Sequence, residues 1–553
     1  MPEPGFDDLQ QLASDFWRWR ACHQPNSSDD IPRLERPADW KPDWSRAAVE
    51  KQRADLASFE ERWKKFDFRK WPVSQQVDYR LIGSAIARVR WEIEVLRSWE
   101  RNPRFYIYQA LGAFFEELLI NKPFDRDRSA RLVKYLQRAP KRIAEGKSNL
   151  ERTAVRPFAA VAVEILKDIR PRLLTVTREL KPLLASESSE QIDRATDDAI
   201  TALESFRDWL EQHMPGMTEE MGVGRDGYLF FLRNVALMPF TPEQLLVMGR
   251  QEWERSIAFE ALAQERAKGL PELEIVSDQA RQLISVEQAE NGIRRFLEEE
   301  DILTVPGWLQ HYRNLPVPAY VQPLAELGVL DDLTSATRLD ENGVRYIPEP
   351  SVDLGYFELS SARDPRPLIV HEGVPGHYLQ LSLSWAHENP IRRYYYDSGP
   401  NEGIGFYAEE MMLQAGLFDD SPRAREIIYN FMRLRALRVE VDVKLALGTF
   451  NIDDATEYLR TKTPMDYETA RAEAISFASL PGQAITYQIG KLQIVKFLAD
   501  ARQLKGERFS LREFHDYLWK NGNVPIVLLR QEYLGLDDEV AMLDAAGVAR
   551  ESE

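Results

Sequence analysis

Cysteine is nearly absent: the 553 residues contain one, Cys22. No intrachain disulfide can form, and a zinc site built from thiolates, which needs at least two, is excluded. An excess of positive charge is missing too. The formal net charge of −18 argues against a nucleic-acid binder, because such proteins display a basic face. No stretch approaches the roughly 18 uninterrupted apolar residues of a membrane helix. The start, Met1-Pro2-Glu3-Pro4-Gly5-Phe6-Asp7-Asp8, has neither the basic beginning nor the apolar centre of a secretory leader, so a cytoplasmic protein is expected. Repeats, low-complexity tracts and flexible linkers are not found either. What is present, 44% hydrophobic and 29% charged residues, fits a folded globular chain and argues against disorder.

The pattern along the chain is mainly α. Residues 74–99 space Val77, Leu81, Ile82, Ile86 and Val89 at helical intervals. Residues 189–213 do the same and stop near Met214-Pro215-Gly216. One long helix is expected from Thr241 to Lys268, with Thr241 as cap and Pro242 in the first turn. From Val305 to Pro367 prolines recur, and Tyr346-Ile347-Pro348 and Gly355-Tyr356-Phe357-Glu358-Leu359 read as short strands of a small sheet. The helical pattern then resumes almost to the end. Residues 1–250 form an N-terminal helical region and 251–553 the region with the chemistry, expected to share one continuous body.

That chemistry centres on His371-Glu372-Gly373-Val374-Pro375-Gly376-His377. It resembles H-E-x-x-H, in which two histidines one helical turn apart bind zinc and the glutamate activates a water. Here the second histidine comes two residues late, which on an ideal helix leaves the two side chains roughly 120° apart. Proline and glycine offer a way out: a bulge at Pro375-Gly376 can swing His377 back towards His371. The alternative is a helix that stops at Val374, with His377 capping the next segment.

Downstream, Asn401-Glu402-Gly403-Ile404-Gly405-Phe406-Tyr407-Ala408-Glu409-Glu410 supplies a further acid at the remove where gluzincins carry their third ligand. Glu409 lies seven residues beyond Glu402, about two turns on and on the same face. Glu402 is therefore a candidate ligand and Glu409 a candidate for steadying a ligating histidine; solvated acids on an ordinary helix are the competing reading. In Leu480-Pro481-Gly482-Gln483-Ala484-Ile485-Thr486-Tyr487, the phenol of Tyr487, helped by Gln483, is a candidate donor to an oxyanion.

Taken together and in this order, the three segments resemble the domain of unknown function 885 family, whose pattern runs H-E-x-x-P-G-H, E-G-W-A-L-Y-A-E and P-G-Q-A-x-x-Y-x-x-G. The first is matched completely, the second in part by Glu402 to Glu409, the third by Pro481 to Ala484 with Tyr487 and Gly490. Arg435-Ala436-Leu437-Arg438 with Asp442 resembles a segment between the last two. Departures are Tyr378 after the second histidine, Ile404 for tryptophan, Ser476-Phe477 for an arginine-tyrosine pair, and no histidine near Gly448. They leave the ligand positions intact and put the substrate pocket in question.

The resemblance implies a large helical zincin-like body split by a deep groove, a small sheet near the site, and one Zn2+ per chain on His371, His377 and Glu402, with Glu372 as general base. It implies a metallopeptidase-like hydrolase of short peptides. A zinc hydrolase of a non-peptide amide, a catalytically silent peptide-binding scaffold and a structural metal protein are the alternatives. Tyr356 is a candidate for pairing with an extended peptide. Arg438, among Arg433, Arg435 and Arg438, is a candidate for a substrate carboxylate, with salt bridges as the default. His23, His213, His311, His387 and His515 are read as structural.

Overall fold

Helix signals in the sequence turn directly into local structure. Thr241 N–H donates to Gln244 Oε1, Gln244 N–H donates back to Thr241 Oγ1, and Pro242 fills the first turn, so helix Pro242–Ala267 opens where expected. Helix Ser186–His213 ends at the Met214-Pro215-Gly216 turn. Val77, Leu81, Ile82, Ile86 and Val89 face inward from helix Val73–Arg90, which runs on into a π-helical turn, Trp91–Leu96. The computed structural model describes residues 4–27, 34–38 and 40–551. Met1 to Glu3, part of the start read above, lie outside the described residues. Among those described, no helix is long and apolar enough to cross a membrane.

The protein is mainly α with a small sheet. Three short strands, β1 (Tyr312–Pro316), β2 (Asp331–Asp332) and β3 (Gly343–Ile347), pair in the order β1-β3-β2. β1 runs parallel to β3 with Tyr312 opposite Gly343, and β2 runs antiparallel to it. Every residue of β3 is buried, so Tyr346-Ile347 belongs to a central strand. The second expected strand is not one. Residues Tyr356–Arg363 form a helix capped by extended Gly355. Asp466 Oδ2 accepts the Tyr356 N–H, satisfying a first-turn donor that a strand would have paired laterally.

One apolar core joins Leu9, Phe16 and Leu81 to Val370, Ile404, Phe406 and Trp519. A second gathers Tyr106, Leu136 and Phe206 around the inner side of the sheet, with Val344 and Tyr346. Each large side chain buried in this way contributes about 1.5–3 kcal/mol, which holds the helices carrying the motifs against one another. Helices Ser398–Ala415 and Ile485–Lys505 cross closely at Gly403 and Gly490. That crossing brings the second and third motifs together.

Candidate metal centre

The first motif is neither a straight helix nor a bulged one. Ile369–Gly373 is a π-helical turn, Val374 is extended, the Val374–Pro375 peptide is cis, and a new helix, His377–Trp385, begins at the second histidine. Of the two readings, a bulge at Pro375-Gly376 or a helix that stops at Val374, the backbone takes the second, with a break between two elements. The break still unites the histidines: the rings lie 4.8 Å apart, centre to centre. Gly376 makes the fold-back possible, since a Cβ there would sit 1.7 Å from the His371 carbonyl oxygen. Trp519 Nε1 pins the turn by donating to the Pro375 carbonyl at 2.6 Å.

The Glu402 helix, Ser398–Ala415, lies across both rings. Glu402 Oε2 is 3.3 Å from His377 Nε2 and 3.5 Å from His371 Nε2, and all three side chains are buried. One donor atom from each residue lies within 4.8 Å of the others. Tetrahedral zinc with bonds of about 2.0–2.1 Å sets neighbouring donors about 3.3–3.4 Å apart, so the two carboxylate–imidazole separations fit such an ion. Glu409, two turns on, stands 2.7 Å from His371 Nδ1. A carboxylate there draws the ring hydrogen to Nδ1 and leaves the Nε2 lone pair turned towards Glu402. Arg435 Nη2 lies 3.1 Å from the same Glu409 oxygen and balances its charge. Gly405 supplies the room: a Cβ there would meet His371 Cε1 and His377 Cε1, both at 3.0 Å.

The carboxylate and the two rings are electrostatically coupled. Burial raises the Glu402 carboxyl, but the His377 and His371 imidazoles outweigh it and hold the group well below the usual carboxylate range. Burial lowers His371, and its contacts with Glu402 and Glu409 overcome that and raise it. A buried carboxylate needs compensating positive charge, which a protonated imidazole or a divalent cation would supply.

Glu372 follows His371 and keeps 14% of its side chain exposed. Its neighbour is Arg345 of β3, at 3.7 Å, which also holds Asp331 at 3.1 Å and Glu358 at 3.2 Å. Burial and the Glu372 charge push Asp331 well up despite Arg345, and Tyr312 Oη donates to it at 3.2 Å. Sequence reading missed this group. Its signal was available: a lone arginine in the otherwise apolar strand Gly343–Ile347.

In the third motif, Asp442 of helix Pro422–Ala446 accepts the N–H groups of Gly482 and Ala484, each at 2.8 Å, and the Tyr228 hydroxyl at 2.8 Å. It thereby satisfies the free donors that open helix Ile485–Lys505. Gln483 Nε2 then lies 3.5 Å from both Glu402 Oε1 and the Tyr487 hydroxyl. The Tyr487 ring runs nearly parallel to the His371 ring, 6.0 Å away. Arg438 sits 4.5 Å above the Tyr487 ring and makes two hydrogen bonds to Glu473, at 2.7 and 2.8 Å.

The structure thus gathers His371, His377, Glu402, Glu409, Gln483 and Tyr487, with Glu372 beside them. Arg438 is committed to Glu473, as Arg433 is to Glu260 at 2.9 Å and Arg435 to Glu409. Salt bridges, the default reading, describe all three. Tyr356 is set aside as a peptide-pairing residue. It lies on a helix, 8% exposed, and its hydroxyl donates to Asn430 Oδ1 at 2.6 Å. The remaining histidines have local partners: His23 Nδ1 meets Trp19 O, His213 Nδ1 meets Trp209 O, and His311 faces Glu290.

The sequence profile of the family described as "Bacterial protein of unknown function (DUF885)" matches residues 33–299 and 355–532. The chain belongs to this family. Two solved structures share its fold. One, titled "The structure of a putative lipoprotein of unknown function from Shewanella oneidensis", is 17% identical, with TM-score 0.69, over 96% of this chain and 99% of its own. The other, "The crystal structure of the putative lipoprotein from Colwellia psychrerythraea", is also 17% identical, with TM-score 0.71, over 97% and 99%. No protein of curated function matches the chain.

Proposed function

We propose that this DUF885 protein is a zinc-dependent hydrolase that cleaves an amide bond, in the first instance the peptide bond of a short peptide. The observation that carries the reading is the buried His371–His377–Glu402 cluster with donor separations of 3.3 and 3.5 Å. Two histidines and one glutamate leave a zinc coordination position open, as a catalytic site requires and a structural four-ligand site does not. A zinc ion bound there supplies a Lewis acid that makes a water acidic near neutral pH and polarises a carbonyl.

The chain's own groups do the rest. Glu372 accepts the proton of the attacking water and delivers it to the departing amine. Glu409 orients the His371 ring through Nδ1, and Arg435 pairs with Glu409 in its buried setting. Tyr487 donates a hydrogen bond to the carbonyl oxygen as negative charge develops on it, with Gln483 beside it. Arg345 fixes the Glu372 carboxylate from the side of the sheet.

The test is metal content by plasma mass spectrometry on the wild type and on His371→Ala and Glu402→Ala, followed by a panel of dipeptides and acylated amines. About one zinc per chain, lost in both variants, with peptide turnover lost in Glu372→Gln, supports the reading. A metal-free wild type after incubation with zinc overturns it. Both solved relatives are described as putative lipoproteins, so our placement of this chain in the cytoplasm needs fractionation, and recovery with membranes would overturn it.

A further inference from the structure

Beside the metal centre lies a cavity of about 170 Å³ walled by Trp44, Trp91, Trp99 and Phe231 and bordered by Gln483 and Arg104. Its tryptophans are themselves buried, so they form a fixed apolar wall. Arg104 is the anomaly. Eight arginines are buried among the described residues: Arg104, Arg128, Arg142, Arg345, Arg392, Arg435, Arg438 and Arg530. Each of the other seven has a carboxylate within 4 Å. For Arg104, 8% exposed, no carboxylate partner exists among the described residues.

Neutral groups hold its guanidinium instead. Nη1 donates to Ser479 Oγ at 3.0 Å and to the Ile475 carbonyl at 3.5 Å, Nη2 donates to Tyr108 Oη at 2.9 Å, and Nε has no partner. Arg20 and Arg88 also border the cavity, but they are committed to Glu92 and Asp397. A buried cation without an anion is costly unless a ligand brings one. A guanidinium presents planar, forked donors suited to a carboxylate.

A short stretch of chain links Arg104 to the metal centre. Arg104 is tied to Ser479, and Gln483, four residues on, reaches Glu402. Four residues span at most about 14 Å of chain, at 3.3–3.6 Å each. Arg104 and the metal centre thus lie at the two ends of one short segment, Ser479 to Gln483, so a single small substrate can be in contact with both.

We propose that this cavity is the subsite for a substrate end bearing both a large apolar or aromatic side chain and a free carboxylate, with Arg104 as the carboxylate's ligand. The inference rests on the hydrolase reading for what is cleaved, but the cavity is tested by binding alone. The substrate class it selects is a short peptide or acyl amino acid whose terminal residue is aromatic and unblocked. An amidated or glycine-ended equivalent is discriminated against.

The probes are N-acetyl-L-phenylalanine, its carboxamide and N-acetylglycine, titrated calorimetrically into the full-length chain as purified and again with EDTA. The acid is expected to bind at least tenfold tighter than either comparison compound, with or without chelator, and Arg104→Gln to reduce it to the level of the carboxamide. Equal binding of acid and carboxamide, or no binding of any probe, overturns the proposal. So does an acid preference that disappears with EDTA, because an ion would then be the carboxylate's ligand. If Arg104→Gln fails to fold, Arg104→Lys serves: acid affinity identical to wild type overturns the role of the guanidinium fork, and a loss supports it. A chain that binds the acid yet cleaves no amide keeps this subsite and loses the hydrolase reading. One that cleaves without acid preference does the reverse.

Discussion

Replacing Gly405 by alanine tests the metal-centre geometry through a residue that is not itself a ligand candidate. The new Cβ would stand 3.0 Å from Cε1 of both His371 and His377 and 3.2 Å from His371 Nδ1. Carbon–carbon contacts are comfortable at about 3.5–4.0 Å, so one or both rings must retreat by about half an ångström or more. A zinc site tolerates deviations of about 0.2 Å in its bond lengths. The expected consequence is a 10- to 100-fold loss of zinc affinity, about 1.4–2.8 kcal/mol at 1.4 kcal/mol per tenfold.

Folding should suffer less, because two effects oppose each other. Alanine in a helix interior is favoured over glycine by about 1 kcal/mol, while overpacking costs about 1–3 kcal/mol. Competition against a chromophoric chelator measures the affinity, and thermal melting of the metal-free chain measures the fold. Wild-type zinc affinity in Gly405→Ala, with its melting temperature unchanged, would refute the argument that these two rings converge on an ion. Collapse of the fold with retained affinity per folded molecule would refute it as well.

Three further outcomes follow from the same geometry. Tyr487→Phe should keep its zinc and its KM while kcat falls about 100-fold, the usual cost of one oxyanion donor; equal kcat would remove Tyr487 from the reaction. Asp442→Ala strands two backbone N–H groups and the Tyr228 hydroxyl, which should cost about 3 kcal/mol or more at 1–3 kcal/mol per orphaned group, read as a lowered urea midpoint. His515 is held neutral between the Ile302 carbonyl, which its Nδ1–H reaches at 2.8 Å, and the Tyr407 hydroxyl at 2.9 Å from Nε2, and burial pushes its pKa down to about 4. An unfolded histidine takes its proton near pH 6.5, so the unfolded state binds more protons between pH 6.5 and 4. Stability is therefore complete above pH 6.5 and falls by about 3 kcal/mol as pH drops to 4. His515→Gln should flatten that part of the melting profile, and an unchanged profile would count against the buried neutral imidazole.

Much of the fold was legible because its signals are local. The capping pair Thr241 and Gln244, the apolar spacing of Val77 to Val89 and the stop at Met214-Pro215-Gly216 need no knowledge of distant residues. The segment Tyr356-Phe357 misled because aromatic residues after a glycine suit a strand locally, while the partner that opens a helix there, Asp466, lies more than a hundred residues away. The candidate ligands were legible as residue types, and so was the pairing of Glu402 with Glu409, since a seven-residue step repeats one helix face.

The sequence alone determined a mainly helical chain, without thiolate metal sites or disulfides, carrying two histidines and paired acids in a fixed order. These follow from composition and from the 3.6-residue period, which act over a few residues. Only the tertiary structure decided how His371 and His377 meet, because on one straight helix they point apart. The answer needed a break at Val374-Pro375-Gly376, a turn pinned by Trp519, and a second helix thinned to glycine at Gly405. It also decided which arginines are free to act. Charge on a side chain is local, but its compensation depends on which carboxylates the fold brings within 4 Å, and around Arg104 it brought none among the described residues.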